Sequence, residues 1–216
     1  MPRPLRTVVG RLPQILLIVG ALALMLRTER FFTPGTLSSI LTQASIVGVL
    51  AIGQAFVLIG GGFDLSQGAM LALVAATVGR LSQEGWNPAL CLAAALTAGL
   101  LLGSINGFFV SVVRTNPFVT TLSTLLIFRG AAFIMLEGRP IPGVKVFQAV
   151  DSGFKLGDAF VSYRGVVFAV AALLTWIVLR RTVFGQHVYA LGGNAEAARL
   201  AGVRTVRLRT WTFALS

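Results

Sequence analysis

From Phe31 to Gly79 the chain runs 49 residues with one ionisable side chain, Asp64, which sits in "IGGGFDLSQG" after three glycines and before Ser66. A carboxylate at the centre of a bilayer costs about 3 kcal/mol on insertion scales, so such a group faces a protein interior or a wet cavity. Two roles suit it. Asp64 can stand at the N′ or N-cap position of the helix that follows, favoured by the positive end of that helix, while Ser66 caps it with its hydroxyl. Alternatively, Asp64 and Ser66 line or gate a pathway. Arg129, in "LLIFRGAAF", is the second charge inside an apolar segment and needs an acceptor. Asp64 is one candidate partner and backbone carbonyls are the other. Asn106, beside Gly103, Ser104 and Gly107, can bond across a close helix contact or face the same pathway.

Other chemistries find no support. His187 is the only histidine and has no second ligand near it in sequence, and Cys91 is the only cysteine, so neither a metal site nor an intrachain disulfide is expected. No nucleophile and base pair, paired carboxylates or phosphate-cradling glycine loop is present. The expectation is a protein that is not an enzyme and needs no cofactor.

The elements that must position these residues are membrane helices. The chain is 56% hydrophobic and 12% charged, with a mean hydropathy of +0.85, against about 25% charged residues in ordinary soluble domains. Several apolar runs approach the roughly 20 residues that cross a bilayer as helix. In lipid an open sheet edge would leave backbone groups unpaired, so the predicted class is an all-α, polytopic transmembrane bundle. Six hydrophobic segments are legible: Val8 to Leu26, Leu37 to about Gly61, Leu65 to Gly79, Ala89 to Val113, Pro117 to Leu136 and Val166 to Leu179. A seventh opens at Thr210. The N-terminal run lacks a small-residue cleavage site and reads as a retained helix, not a signal peptide.

A net charge of +11 would suggest nucleic acid in a soluble chain. Here the basic residues cluster at segment ends, where they contact membrane lipid and set orientation, and no nucleic-acid partner is expected. With the N-terminus cytoplasmic, ten Lys and Arg fall inside and seven outside, the sense of the positive-inside rule. That puts the Asp64 turn near the inner surface. Residues 137–164 then form the main external loop and 180–209 the main internal one. In the internal loop Asn194 is a helix N-cap, Glu196 lies in the first turn, and Gly202 stands at the stop. A short charged cytoplasmic helix of about two turns follows from these signals.

"GGGFDLSQGAMLAL", "GSINGFFVSVVRTNPFVTTLSTLLIFRGAAF" and "FGQHVYALGGNAEAARLAGV" occur in that order. Together they resemble signatures of the sugar-type ABC importer permeases, the ribose, xylose and galactoside group that includes autoinducer-2 permeases. The resemblance covers most of residues 60–203. It implies a multi-pass subunit of the bacterial inner membrane that pairs with a second permease subunit, as a homo- or heterodimer. It further implies that the subunit receives a carbohydrate from a periplasmic sugar-binding protein and is driven by cytoplasmic ABC ATPase subunits. The family's coupling element maps onto Gly192, Gly193, Asn194, Glu196, Ala197, Ala198, Arg199 and Gly202, with small residues at Ala197 and Ala198 suited to a partner's groove. Asp64, Ser66, Asn106 and Arg129 are the pathway or gating candidates. The alternatives are a branched-chain amino-acid type of ABC permease, and an ATP-independent secondary carrier or structural membrane subunit. Gly62 is one glycine more than the resemblance leads us to expect. Such permeases also carry more helices after the coupling loop, so residues 1–216 are expected to form one permease domain that is incomplete at its C-terminus.

Overall fold

A computed structural model of the protein describes residues 3–29, 31–139, 152–156 and 159–216. Helices α1 (Arg3–Arg27), α2 (Pro34–Ile59), α3 (Gln67–Gln83), α4 (Pro88–Ser111) and α5 (Pro117–Met135) are followed by a small antiparallel hairpin, β1 (Gly153–Leu156) and β2 (Ala159–Ser162). Helix α6 (Tyr163–Arg181) then leads into α7 (Val183–Gly193), α8 (Ala195–Leu200) and α9 (Thr205–Ala214). The expected all-α membrane bundle is the fold found.

Helix starts follow one local rule. Thr33, Asn87 and Asn116 each accept a backbone N–H in the first turn, and each is followed by proline at the first helical position, where its missing N–H costs nothing. Four helices, α2, α4, α5 and α6, are long and apolar enough to cross a membrane. Their outward faces carry exposed Leu41, Leu101, Ile127, Phe133 and Leu174, as a surface in contact with lipid or other apolar helices requires. Residues Pro13–Arg27 of α1 are also apolar.

Three apolar clusters hold the inside together. Ala69, Met70 and Phe128 join α3 to α5, and Val57, Val110 and Phe213 join α2, α4 and α9. The third, built on Phe56, Leu179, Val188, Leu191 and Leu208, fastens α7 and α9 to the ends of α2 and α6. The segment expected as an internal loop, 180–209, is therefore mostly helix and packed. Of the expected external loop, residues 140–151, 157 and 158 lie outside the described residues. Its described part contains the β1–β2 hairpin, which was not anticipated.

Candidate functional site

The turn between α2 and α3 is built by glycine and closed by a carboxylate. Gly61, at φ +76°, reverses the chain, and the N–H of Gly62 returns to the Val57 carbonyl at 2.8 Å. Asp64 is then only 4% exposed and Ser66 not at all. Asp64 Oδ1 accepts both the backbone N–H and the hydroxyl of Ser66, each at 2.7 Å. The expected division of labour is thus corrected. Ser66 makes no side-chain cap to α3: its hydroxyl donates to the Asp64 carboxylate and its oxygen accepts from Asn106 rather than from a first-turn N–H, while Asp64 itself holds the turn before the helix.

That bond fixes its neighbours. With its proton committed, Ser66 Oγ can only accept, and Asn106 Nδ2 donates to it at 2.7 Å. The amide orientation is set by this network. On the other side, the Ser216 hydroxyl shares its proton between Asp64 Oδ2 at 3.1 Å and the Phe213 carbonyl at 2.8 Å, and Gln67 Nε2 donates to the Ser216 carbonyl at 3.3 Å. Asn106 Oδ1, fully buried, has no hydrogen-bond partner among the described residues. The α2–α3 turn, α3, α4 and the segment after α9 therefore meet in one polar cluster.

The cluster lies deeper than the sequence suggests. Asn106 stands five residues before the end of α4 at Ser111, about 7.5 Å along the axis at 1.5 Å per residue. Residues 61–66 cross that depth without helical bonding, which is tolerated where such backbone is enclosed by protein. Phe213 and Val57 supply the enclosure around Gly62. This explains why α3 has only 17 residues, about 26 Å of helix. It starts inside the bundle and crosses only what remains.

Arg129 does not join the cluster. It lies exposed on the outward side of α5, and the three oxygen contacts of Asp64 are all to serines. The expected Asp64–Arg129 candidate pair is absent among the described residues. Arg129 stands six residues before Met135, about 9 Å of helix.

At the other end, Asn194 Oδ1 caps α8 by accepting from Glu196 N at 3.0 Å and Ala197 N at 2.9 Å. The helix stops in a Schellman arrangement: Gly202, at φ +88°, donates to the Arg199 carbonyl, and Val203 to that of Ala198, both at 3.0 Å. Glu196 and Arg199 pair through two bonds, 2.6 and 3.0 Å, on the exposed side. The hydrogen bonds from Arg199, and then its charge, hold the Glu196 carboxyl below the ordinary range. One expectation needs correction here. Ala198 is 5% exposed and packs against its own chain, so of the two alanines only Ala197 is presented outward, next to Leu200, which is 75% exposed.

Two close approaches connect this segment to the Asp64 turn. A Cβ on Gly192 would collide with the Ile59 carbonyl and come within 3.2 Å of Gly61 N. Gly193 has open space around it. Helix α9 lies on α4 along Gly103 and Gly107, where a Cβ would strike the backbone of Phe213 and Thr210. Ser111 and Thr210 share a hydrogen bond across the same contact at 2.6 Å. Glycine four residues apart is the pattern by which membrane helices bring backbones together. The sequence signalled the small residues on α4 but not which helix they would meet. Ser216 and Gln67 were missed altogether, since nothing local marks contacts made 149 and 152 residues away.

Residues 36–216 match the family described as the branched-chain amino acid transport system / permease component. The chain is 32% identical over 207 residues to the ribose import permease protein of Bacillus subtilis, covering 94% of this chain and 63% of that one. It is 33% identical over 212 residues to the fructose import permease protein of Rhizobium meliloti, covering 94% and 59%. The galactofuranose transporter permease protein of Escherichia coli is 35% identical over 194 residues, covering 89% and 55%. The chain thus spans between 55% and 63% of the length of these relatives. No solved structure matches it. A match over five-sixths of the chain, together with a multi-pass apolar bundle, makes this protein a member of that permease family.

Proposed function

We propose that the protein is the membrane-spanning subunit of an ATP-driven, binding-protein-dependent sugar importer of the bacterial inner membrane. The observation that carries this reading is the continuous path from α8 to Asp64. An exposed, doubly capped helix is joined through Gly192 to the α2–α3 turn and through α9 and Ser216 to the Asp64 carboxylate. In this reading Gly192 to Gly202 meet cytoplasmic ABC ATPase subunits, with Ala197 and Leu200 forming the contact. Movement of α8 is passed to α9, which slides or tilts in its glycine groove and makes or breaks the Ser216–Asp64 bond. The N-terminus is cytoplasmic, a periplasmic sugar-binding protein delivers the solute, and a second permease subunit completes the pathway. Asp64, Ser66 and Asn106 act as gating residues, and the unpaired Asn106 Oδ1 offers an acceptor to a water or solute hydroxyl when the gate opens.

The family description names branched-chain amino acids, whereas the relatives above are named for ribose, fructose and galactofuranose; the latter favour a sugar. Uptake by the protein reconstituted with its ATPase and binding protein tests the choice. ATP-dependent uptake of a pentose or hexose is expected. Uptake of leucine or valine instead, or uptake indifferent to ATP, would overturn the reading.

A further inference from the structure

At the end of the bundle that carries α8, a cleft of about 310 Å³ opens between the end of α4, the α4–α5 turn, α8 and the start of α9. Arg114, Arg199 and Arg209 line it together with Thr115 and Thr205, over Val110 and Pro117, and no carboxylate is among the lining residues. The nearest acid in sequence, Glu196, is committed to Arg199. Neither Arg114 nor Arg209 has an ion-pair or hydrogen-bond partner for its guanidinium among the described residues. Arg114 is also displayed by a defined turn. Its φ is +63°, a conformation that favours glycine, and the next residue is pinned by Thr115 N and Oγ1, both donating to the Phe109 carbonyl at 3.1 and 2.8 Å.

Two arginines without an anion of their own, Arg114 and Arg209, line one opening beside the Glu196-paired Arg199, and call for an anionic ligand. Arginine presents its donors as a planar fork that matches phosphate oxygens. The level of the cleft narrows the choice further, because it lies where α4 ends at Ser111 and α5 begins at Pro117, the edge of two apolar spans. Basic pockets between membrane helices at that level receive anionic headgroups. We infer that the cleft binds a phosphate group, at this depth that of an anionic phospholipid headgroup, held mainly by Arg114 and Arg209. The lipid then bridges the α4–α5 turn to α8 and α9. This inference rests only on the helices spanning a membrane, not on the transport reading.

Native mass spectrometry of the full chain, released from vesicles of phosphatidylglycerol and phosphatidylcholine, tests it. The expected result is selective retention of phosphatidylglycerol, which falls about fivefold for each guanidinium removed in Arg114→Gln and Arg209→Gln, the factor that about 1 kcal/mol per basic residue gives. Arg80→Gln, at a helix end where Arg80 pairs with Glu84, is expected to leave retention unchanged. If the glutamine variants do not fold, Arg114→Lys with Arg209→Lys, which keeps charge and loses the fork, must lower retention. Undiminished retention in the folded variants overturns the site. So does equal occupancy by inorganic phosphate without lipid preference, or loss of a co-purifying ATPase with lipid retention intact, since that assigns the cleft to partner carboxylates.

Discussion

The hydroxyl of Ser216 lies 3.1 Å from the carboxylate of Asp64 and 2.8 Å from the Phe213 carbonyl and shares its proton between them, joining positions 152 residues apart in the chain. Asp64 closes the α2–α3 turn, and Ser216 follows the helix that leads away from α8. In the proposed coupling, displacement of α8 is carried along α9 to Asp64, the one buried carboxylate among the described residues.

Asp64→Asn keeps an acceptor for the Ser66 N–H and removes the charge, whereas Asp64→Ala strips the acceptor from the buried N–H and hydroxyl of Ser66; the Ser216 hydroxyl keeps the Phe213 carbonyl. The alanine variant should lose about 1 to 3 kcal/mol, the cost of a buried polar group left unsatisfied, and unfold at lower temperature in detergent. The asparagine variant should keep most of its stability. Equal stability of the two variants would remove the capping role.

Helix α9 depends on bare backbone at Gly103 and Gly107. Gly107→Ala places a Cβ 2.8 Å from Thr210 Cα, and overpacking of this kind costs about 1 to 3 kcal/mol. Gly99→Ala, about two turns earlier with nothing within 4 Å, is the matched control and should be neutral or slightly stabilising. Thermal unfolding of the pair separates a packing effect from a general response to alanine.

Leu191 is 2% exposed in the cluster that fastens α7 and α9 to α2. Leu191→Ala should cost about 2 to 5 kcal/mol, and the loss should fall on the α7–α9 segment first. Limited trypsin digestion is the direct readout, with cleavage at Arg199, Arg204 and Arg207 accelerated before the rest of the chain is cut.

Those segments also show where sequence was sufficient. Caps are local, so Asn116, Asn194 and the Gly202 stop were readable from residue type and spacing. Asp64 was recognisable as a turn residue for the same reason. Helix α7 was not, because Gly185, Gly192 and Gly193 in an 11-residue helix read as loop, and its stability comes from Val188 and Leu191 packing on Phe56. The start of α9 at Thr205 was hidden by Arg207 and Arg209, which made a helix look like a flank. Charge matching suggested Arg129 as the partner of Asp64, but the nearby hydroxyls were cheaper to bring to the carboxylate. The outward face of Ala197 and inward face of Ala198 depend on how α8 docks, and adjacent alanines carry no signal for that.

The Glu196–Arg199 pair gives a pH test on the exposed side of α8. Because the Glu196 carboxyl is held below its ordinary range by Arg199, the pair's contribution is present above the unfolded-state value and lost as pH falls through the depressed one. Both groups are well exposed, so the effect on overall stability should be small. Titration of Glu196 followed by NMR should show the depressed midpoint, and Arg199→Gln should return it to the ordinary range.

The central claim is that the outward face of α8 is where an ATPase takes hold of this protein. Co-purification of tagged protein with its ABC ATPase, comparing wild type with Ala197→Arg, tests it most directly. Ala197 is exposed and follows the Asn194 cap, so the substitution should leave the fold intact, with the unfolding temperature unchanged, and abolish recovery of the ATPase. Undiminished recovery with Ala197→Arg, or no ATPase recovered by the wild type, would contradict the account.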